Sequence, residues 1–143
     1  MIINNISPEN SDGIMLLIDK PKDYSSARIV NIVKKVLNIK KAGHSGTLDP
    51  RATGLMIVCT GKKTKQLNEL LGFDKEYEGV MVLGEKTKSF DSETEVFERN
   101  SVGHLKTDMI KNTVTFFLGE IEQMPPMFSA IKHNGKPLYK LAR

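Results

Sequence analysis

One short segment, residues 43–54, holds residue types that could do chemistry on a polyanion. It reads Gly-His-Ser-Gly-Thr-Leu-Asp-Pro-Arg-Ala-Thr-Gly, and Asp49 is its only acidic residue. A carboxylate can act as a nucleophile, an imidazole such as His44 can stack on a base, and a guanidinium such as Arg51 can pair with phosphate. Because three glycines and a proline interrupt the segment, it is predicted to be a shaped loop. These residues together suggest an enzyme site.

Read alone, Asp49 allows other interpretations. An Asp-Pro pair commonly turns the chain, so a purely structural role is one alternative. A carboxylate pair with Asp91 for general acid–base work, as in glycoside hydrolysis, is another. A phosphate-binding loop at residues 54–63 does not fit. Six residues separate its glycines, and no Ser or Thr follows Lys62 directly.

Composition bounds the class of protein. The chain has 143 residues, suited to one domain, and a net charge of +4, a mild basic excess that is compatible with a nucleic-acid partner. The single cysteine, Cys59, excludes an intramolecular disulfide, and with three scattered histidines it does not supply a structural zinc site. No apolar run approaches the roughly 18 residues of a membrane span. Residues 1–12 show no signal-peptide pattern, so the expected location is cytoplasmic.

The elements that must position the loop follow from hydrophobic periodicity. Strands are expected at 14–18, 55–60 and 77–83, and Asn134-Gly135 is a hairpin signal. Helices are expected behind a Ser25 or Ser26 cap, over about two turns after Gly61-Lys62-Lys63 and ending near Gly72, from Thr107 to about Leu118, and from Leu138 to the end. The inner faces of two of these helices are predicted to consist of Ile29, Val33, Val36 and Leu37 in the first, and of Ile110, Val114 and Phe117 in the third.

The arrangement of these elements predicts the fold class. Residues 1–12 read as a loose N-terminal arm, 86–95 as an exposed loop, and Pro125-Pro126 as a break. Strands and helices are intermixed without a regular βαβ repeat. The prediction is therefore α+β, with a mixed or antiparallel sheet and flanking helices.

The loop also carries a family resemblance. Gly43 to Pro50, followed by Ala52-Thr53-Gly54-Leu55, resembles the catalytic signature of the TruB family, the tRNA pseudouridine(55) synthases. Further segments resemble other motifs of that family in the same order along the chain: Leu17-Ile18-Asp19-Lys20-Pro21 with Ser25-Ser26, Lys75-Glu76-Tyr77, Leu83-Gly84 with Thr87 and Asp91, and Pro125 to Lys132 with Gly135-Lys136 and Leu138-Tyr139.

This resemblance implies a reaction and a set of site residues. The reaction is isomerisation of uridine to pseudouridine in tRNA, at uridine 55 of the T stem-loop, without cofactor or metal. Asp49 would be the catalytic nucleophile, attacking C6 of the base or C1′ of the ribose, with proton abstraction in a glycal route left open. His44 and Tyr77 would contact the substrate RNA. The alternative is a non-catalytic RNA-binding or folding module that keeps the fold.

The resemblance also sets an expectation for domain organisation. Residues 13–143 correspond to the N-terminal part of a pseudouridine synthase catalytic domain, an incomplete form of that fold. The C-terminal half, which in the family supplies an arginine partner for the aspartate, and the RNA-binding domain have no counterpart in the sequence. The 143-residue chain alone is therefore expected to be weakly active or inactive.

Lysines flank the loop in the sequence. Lys34, Lys35, Lys40 and Lys41 precede it, and Lys62, Lys63 and Lys65 follow it. Seven lysines within 32 residues suggest a collective electrostatic surface for an RNA backbone, although any one of them alone is as well explained by a solvated helix face.

Overall fold

A computed structural model describes residues 12–124, 127–129 and 131–138 of the chain. The chain forms two compact units, residues 1–77 and residues 78–143. The first unit contains β1 (Met15–Lys20), α1 (Ser26–Val36), β2 (Ala42–His44), β3 (Gly54–Thr60), a 3₁₀ helix (Gly61–Gln66) and α2 (Leu67–Leu71). The second contains β4 (Glu85–Thr87), β5 (Val96–Arg99), α3 (Thr107–Val114), a 3₁₀ turn (Thr115–Phe117), β6 (Lys132–His133) and β7 (Lys136–Pro137).

The first unit is built on a three-stranded antiparallel sheet in the order β1-β3-β2. In its register Ile18 lies opposite Met56, and His44 lies opposite Val58. Because side chains alternate between the faces of a strand, Ile18, Met56 and Val58 share a face, and all three are buried.

Helix α1 packs on that face of the sheet. Its N-cap is Ser25, whose side chain accepts the backbone N–H of Arg28 at 3.2 Å. Ile29, Val30 and Val33 are buried and form one hydrophobic cluster with Ile18, Met56 and Val58. Leu48, from the loop between β2 and β3, packs against the same cluster.

The second unit has two short antiparallel hairpins and one helix of eight residues. The β4–β5 hairpin has a bulge between Lys86 and Thr87. In its loop the hydroxyls of Ser89 and Thr94 lie 2.8 Å apart, and each accepts the other residue's backbone N–H. The β6–β7 hairpin turns at Asn134 and Gly135, both at positive φ, which fits the two-residue turn predicted there.

Several sequence predictions are confirmed. The fold is α+β with antiparallel sheets, and Ser25 caps α1. Two strands start or end slightly beyond their predicted bounds: β1 continues through Lys20 and β3 begins at Gly54.

Other predictions are wrong. Residues 74–82 have no regular secondary structure, so the strand expected at 77–83 is absent from the described part of the chain. Val80 is 95% exposed there, and none of the described strands pairs with this segment. An alternating pattern makes a strand only when a neighbouring strand accepts its hydrogen bonds. The predicted exposed loop at 86–95 begins inside β4.

The predicted inner helix faces are also partly wrong. Val36 is exposed, whereas Val33 in the same turn is buried and Leu37, directly after α1, packs against the core cluster. Helix α3 has no buried residue, and Ile110, Val114 and Phe117 are exposed. Their helical spacing creates an apolar stripe but does not by itself supply a surface for the stripe to pack on.

Some predictions fall outside the described residues. These are residues 1–11 of the predicted arm, Pro125-Pro126, and residues 139–143 of the last predicted helix. Within the described ranges, no helix is long and apolar enough to cross a membrane.

Candidate functional site

The glycine-rich loop connects β2 to β3 and therefore lies at one end of the three-stranded sheet. His44 is the last residue of β2, and Gly54, at φ 116°, is the first of β3. The N–H of Ser45 donates to the carbonyl of Ile57 at 3.1 Å, which extends the pairing by one residue. Both ends of the loop are therefore attached to the hydrogen-bonded strand pair β2–β3.

Ser26 holds the backbone next to Asp49. This serine is the first residue of α1 and is only 3% exposed. Its Oγ donates to the carbonyl of Leu48 and accepts the N–H of Leu48, both at 2.9 Å. One buried hydroxyl therefore satisfies both backbone groups of the residue before Asp49, while the Leu48 side chain packs on the core.

Lys20 ties β1 to the other side of the loop. Its side chain is fully buried, and its Nζ donates to three backbone carbonyls, of Pro21 at 3.1 Å, Tyr24 at 2.6 Å and Pro50 at 3.1 Å. The third of these belongs to the residue after Asp49. A buried ammonium is costly unless its donors are used, and here all three donors have carbonyl partners.

Burial and two nearby carboxylates act in opposite directions on the Lys20 ammonium. Burial lowers the pKa of Lys20 below its ordinary value of 10.5, while the carboxylates of Asp23 and Asp49 act in the opposite direction and raise it. The Asp49 carboxylate is thus close enough to Lys20 to attract it electrostatically. The ammonium organises the loop through its hydrogen bonds and also places positive charge near the candidate nucleophile.

Asp49 combines a fixed backbone with an exposed carboxylate. Its carbonyl accepts the N–H of Ala52 at 3.1 Å, which closes a turn, and the N–H of Asp23 donates to the carbonyl of Pro50 at 2.7 Å. The residue itself is exposed. A carboxylate held in this way is preorganised and accessible to a large substrate.

His44 is half-buried at the end of β2. Its Nδ1 accepts the N–H of Gly46 at 3.4 Å. His44 and Asp49 thus lie on the same β2–β3 hairpin, His44 at the end of β2 and Asp49 in the loop.

Tyr77 lies apart from this hairpin in the sequence and is not packed in a pocket. It is 73% exposed, in the irregular segment 74–82. Its predicted role in contacting RNA therefore stays a prediction. Arg51, in the turn itself, is exposed.

Asp91, the alternative carboxylate partner considered for Asp49, belongs to the second unit. Its Oδ1 accepts the N–H of Glu93 at 2.8 Å, and its carbonyl accepts the hydroxyl of Thr87 at 2.7 Å. These bonds give Asp91 a structural role in the β4–β5 loop. Among the described residues, no group of three or more His, Cys, Asp or Glu side chains is arranged to hold a metal ion.

The sequence analysis assigned no site role to Lys20 and considered Ser26 only as a possible helix cap. A signal for Lys20 was present: it follows Leu16 and Ile18 at intervals of two, so strand alternation places it on the inner face. Ser26 had no comparable signal, because either of two adjacent serines could have capped the helix.

The family comparison covers most of the chain. A family model described as TruB family pseudouridylate synthase, N terminal domain, matches residues 34–143, which include the whole glycine-rich loop.

Relatives match over nearly the whole chain. A protein of Flavobacterium johnsoniae named tRNA pseudouridine synthase B is 49% identical over 142 residues, covering 94% of this chain and 62% of its own length. A Chlorobaculum tepidum protein of the same name is 46% identical over 142 residues, covering 96% of this chain and 59% of its own length. The chain therefore spans about 60% of the length of these relatives.

A solved structure also matches part of the chain. It is described as an H/ACA RNP bound to a substrate RNA containing 2′-deoxyuridine. The match has 41% sequence identity and a TM-score of 0.41, and it covers 43% of this chain and 19% of the solved chain.

Proposed function

Because the chain belongs to the TruB family of pseudouridylate synthases, we propose that it carries the catalytic loop of an enzyme that isomerises uridine to pseudouridine in tRNA. The relatives named tRNA pseudouridine synthase B support this substrate class. The structural observation that carries the proposal is Asp49, an exposed carboxylate on a loop whose backbone is fixed on both sides.

The reaction moves one bond within the nucleotide. The C1′–N1 bond of uridine breaks, the uracil turns, and its C5 bonds to C1′; the C5 hydrogen leaves as a proton, and N1 takes up a proton from water. The product is an isomer of the substrate and no redox step occurs, so the proposal includes no cofactor and no metal. We also propose a cytoplasmic location for the protein.

Asp49 is the proposed nucleophile. A carboxylate forms covalent intermediates at electrophilic carbons, and both C1′ of the ribose and C6 of the base qualify. Proton abstraction along a glycal route would use the same carboxylate as a base. All three routes need the Asp49 oxygen at the reacting nucleotide, which the bonds at Leu48 and Pro50 favour by fixing the loop before substrate arrives.

His44 and Tyr77 are proposed to contact the RNA. A uridine in a folded stem-loop must be extruded to reach Asp49, at a cost of about a few kcal/mol. An aromatic ring that stacks in the vacated place offsets part of this cost. His44, at the edge of the loop, is proposed to stack in the vacated place. Tyr77 is proposed to pack against the extruded base. The proposed target is uridine 55 in the T stem-loop.

The test measures tritium release from tRNA labelled at C5 of uridine. The protein is this chain joined to the part of the Flavobacterium johnsoniae relative that the chain does not cover, with this chain alone assayed beside it. Asp49→Asn should abolish release from the joined protein while tRNA binding is retained. A tRNA with cytidine in place of uridine 55 should release no tritium.

Asp23→Asn is the matched control. It removes the same charge from a neighbouring exposed residue, and asparagine tolerates the positive φ of 65° found there. Release should continue in this variant. Equal release from Asp49→Asn and the unchanged protein would reject Asp49 as the nucleophile. Binding of tRNA without release from any form would favour the alternative, a non-catalytic RNA-binding module.

A further inference from the structure

One charged side chain near the glycine-rich loop is stacked on an aromatic ring and has no role in the site described above. Arg28 is the third residue of α1, and its guanidinium carbon lies 4.1 Å from the centroid of the Tyr24 ring. Arg28 is exposed, and among the described residues it forms no ion pair. The negative face of the ring attracts the cation, but the stack supplies no counter-charge.

Tyr24 gives the guanidinium a fixed support. Its side chain packs against the hydrophobic cluster of the sheet and α1, and its carbonyl accepts a hydrogen bond from Nζ of Lys20 at 2.6 Å. An arginine side chain ordinarily loses much rotamer freedom when it binds a ligand. The stack restricts Arg28 before any ligand arrives, which lowers that cost.

The same contacts place the stack beside the loop that carries Asp49. The buried ammonium that bonds Tyr24 also donates to the carbonyl of Pro50 at 3.1 Å, so the two carbonyls converge on one nitrogen. The first residue of α1 bonds both backbone groups of Leu48. The backbone on both sides of Asp49 is therefore tied to the segment that bears Tyr24 and Arg28.

The position of Arg28 is unfavourable for the helix itself. The start of a helix carries partial positive charge, so acidic side chains are stabilising in the first turn and basic ones in the last. Helix α1 has Arg28 in its first turn and no acidic residue there. Helix stability thus does not explain this charge, whereas a bound anion would be attracted by both the guanidinium and the helix start.

The stack also leaves the hydrogen-bond donors of Arg28 available. A guanidinium stacks through its face, while its N–H groups lie in its plane and match a phosphate in a planar, two-bond geometry. We propose that Arg28, supported by Tyr24, binds a phosphate next to the uridine that is extruded toward Asp49. The identity of the ligand rests on the proposed function. Because extrusion turns a nucleotide about its backbone, a hold on the adjacent phosphate fixes the point about which the uridine turns.

The test combines protein variants with single phosphates of the RNA. The 143-residue chain is titrated with T stem-loop hairpins in which one phosphate at a time, beside the target uridine or in the stem, is replaced by an uncharged methylphosphonate. Arg28→Gln should bind the unmodified hairpin about tenfold more weakly near 0.1 M salt and reduce the slope of log affinity against log salt by about one. One replacement beside the uridine should weaken binding by the unchanged chain about tenfold, and by Arg28→Gln less than about twofold.

Variants of Tyr24 test the support. Tyr24→Leu keeps an apolar side chain against the core but removes the ring, so it should lose most of the sensitivity to that phosphate although Arg28 is present. Tyr24→Phe keeps the ring and should match the unchanged chain. Lys35→Gln removes an exposed charge from the last turn of the same helix and should leave the sensitivity in place. Urea unfolding should show Arg28→Gln to be as stable as the unchanged chain, so its loss of binding is not a loss of folding.

Three results would overturn the proposal. In the first, Arg28→Gln stays as sensitive as the unchanged chain to every methylphosphonate, which would leave the stack as a support of the helix start only. In the second, the coupling between Arg28 and phosphate is confined to the stem. In the third, the unchanged chain binds none of the hairpins. Tritium release does not enter this assay, so Asp49 can fail as the nucleophile while the Arg28 contact is upheld, and the reverse.

Discussion

At the scale of single residues, the backbone on either side of Asp49 is held by side chains that lie far from it in the sequence. Ser26 fixes Leu48, and Lys20 fixes Pro50. Neither touches the carboxylate through a hydrogen bond, so the backbone of Asp49 is restricted while its side chain stays exposed. The proposed role of Asp49 as nucleophile would gain from this arrangement, because the entropy of placing the carboxylate is lost during folding and not during reaction.

Ser26→Ala tests the first of these two anchors. The substitution leaves the N–H and carbonyl of Leu48 without their partner in a buried place, which should lower the free energy of unfolding by about 2 kcal/mol. Urea denaturation followed by circular dichroism measures this loss. Hydrogen exchange at the Leu48 amide should also accelerate.

The neighbouring serine separates loop anchoring from helix capping. Ser25→Ala removes the N-cap bond to Arg28 and should cost about 1 kcal/mol, with exchange at Leu48 unchanged. If both variants accelerated Leu48 exchange equally, the loop would depend on the helix start as a whole and not on the Ser26 hydroxyl.

At the scale of elements, the start of β1 depends on a glycine that meets the end of β3. Gly13 has φ 87°, and a Cβ there would collide with the carbonyl oxygen of Thr60. The same two ends are joined by bonds from Ile14 to the hydroxyl of Thr60 and from the Thr60 N–H to Ile14, both 2.9 Å. Any side chain at position 13 forces these bonds apart.

Gly13→Ala should therefore destabilise the first unit by more than about 2 kcal/mol, since it combines a left-handed backbone with a backbone collision. Gly46→Ala is the matched control, because a Cβ at Gly46 meets nothing within 4 Å and its φ is not positive. Thermal unfolding of the two variants measures the difference. Equal midpoints would mean that the sheet end accommodates a side chain by shifting.

The sequence predicted those elements whose signals are local. The cap of α1, the buried β3 and the turn at Asn134-Gly135 follow from residue types within a few positions. The strand at 77–83 and the buried stripe of α3 failed, because each needs a partner surface that periodicity does not reveal.

In the candidate site, too, only the residues with local sequence signals could be predicted. The loop residues His44 and Asp49 could be named from the sequence, whereas Ser26 could not be identified as an anchor, since its partner Leu48 is 22 residues away. The sequence also could not show that the lysines lie far from the loop. They flank the loop in sequence, but the pairing of Ala42 with Thr60 places them at the end of β2 and β3 that is away from it.

At the scale of the whole molecule, burial is divided unequally between the two units. Among the described residues, every buried hydrophobic side chain belongs to the first unit. In the second unit Val80, Phe116 and Met124 are each more than three-quarters exposed. Because burial of apolar surface is the main source of stability, the first unit should unfold last.

Hydrogen exchange under native conditions tests this division. Amides of β1, β3 and α1 should exchange most slowly, and those of α3 should exchange much faster.

Val58→Ala removes two methyl groups from a position with no exposed surface and should lower protection in the first unit by about 2 kcal/mol. Val114→Ala, at a position 55% exposed on α3, should change stability by less than about 0.5 kcal/mol. Two results would contradict this division: exchange in α3 as slow as in β3, or an equal loss of stability in Val114→Ala and Val58→Ala. Either result would mean that stability does not follow burial in this chain. The first unit could then not be regarded as the rigid support of the Asp49 loop.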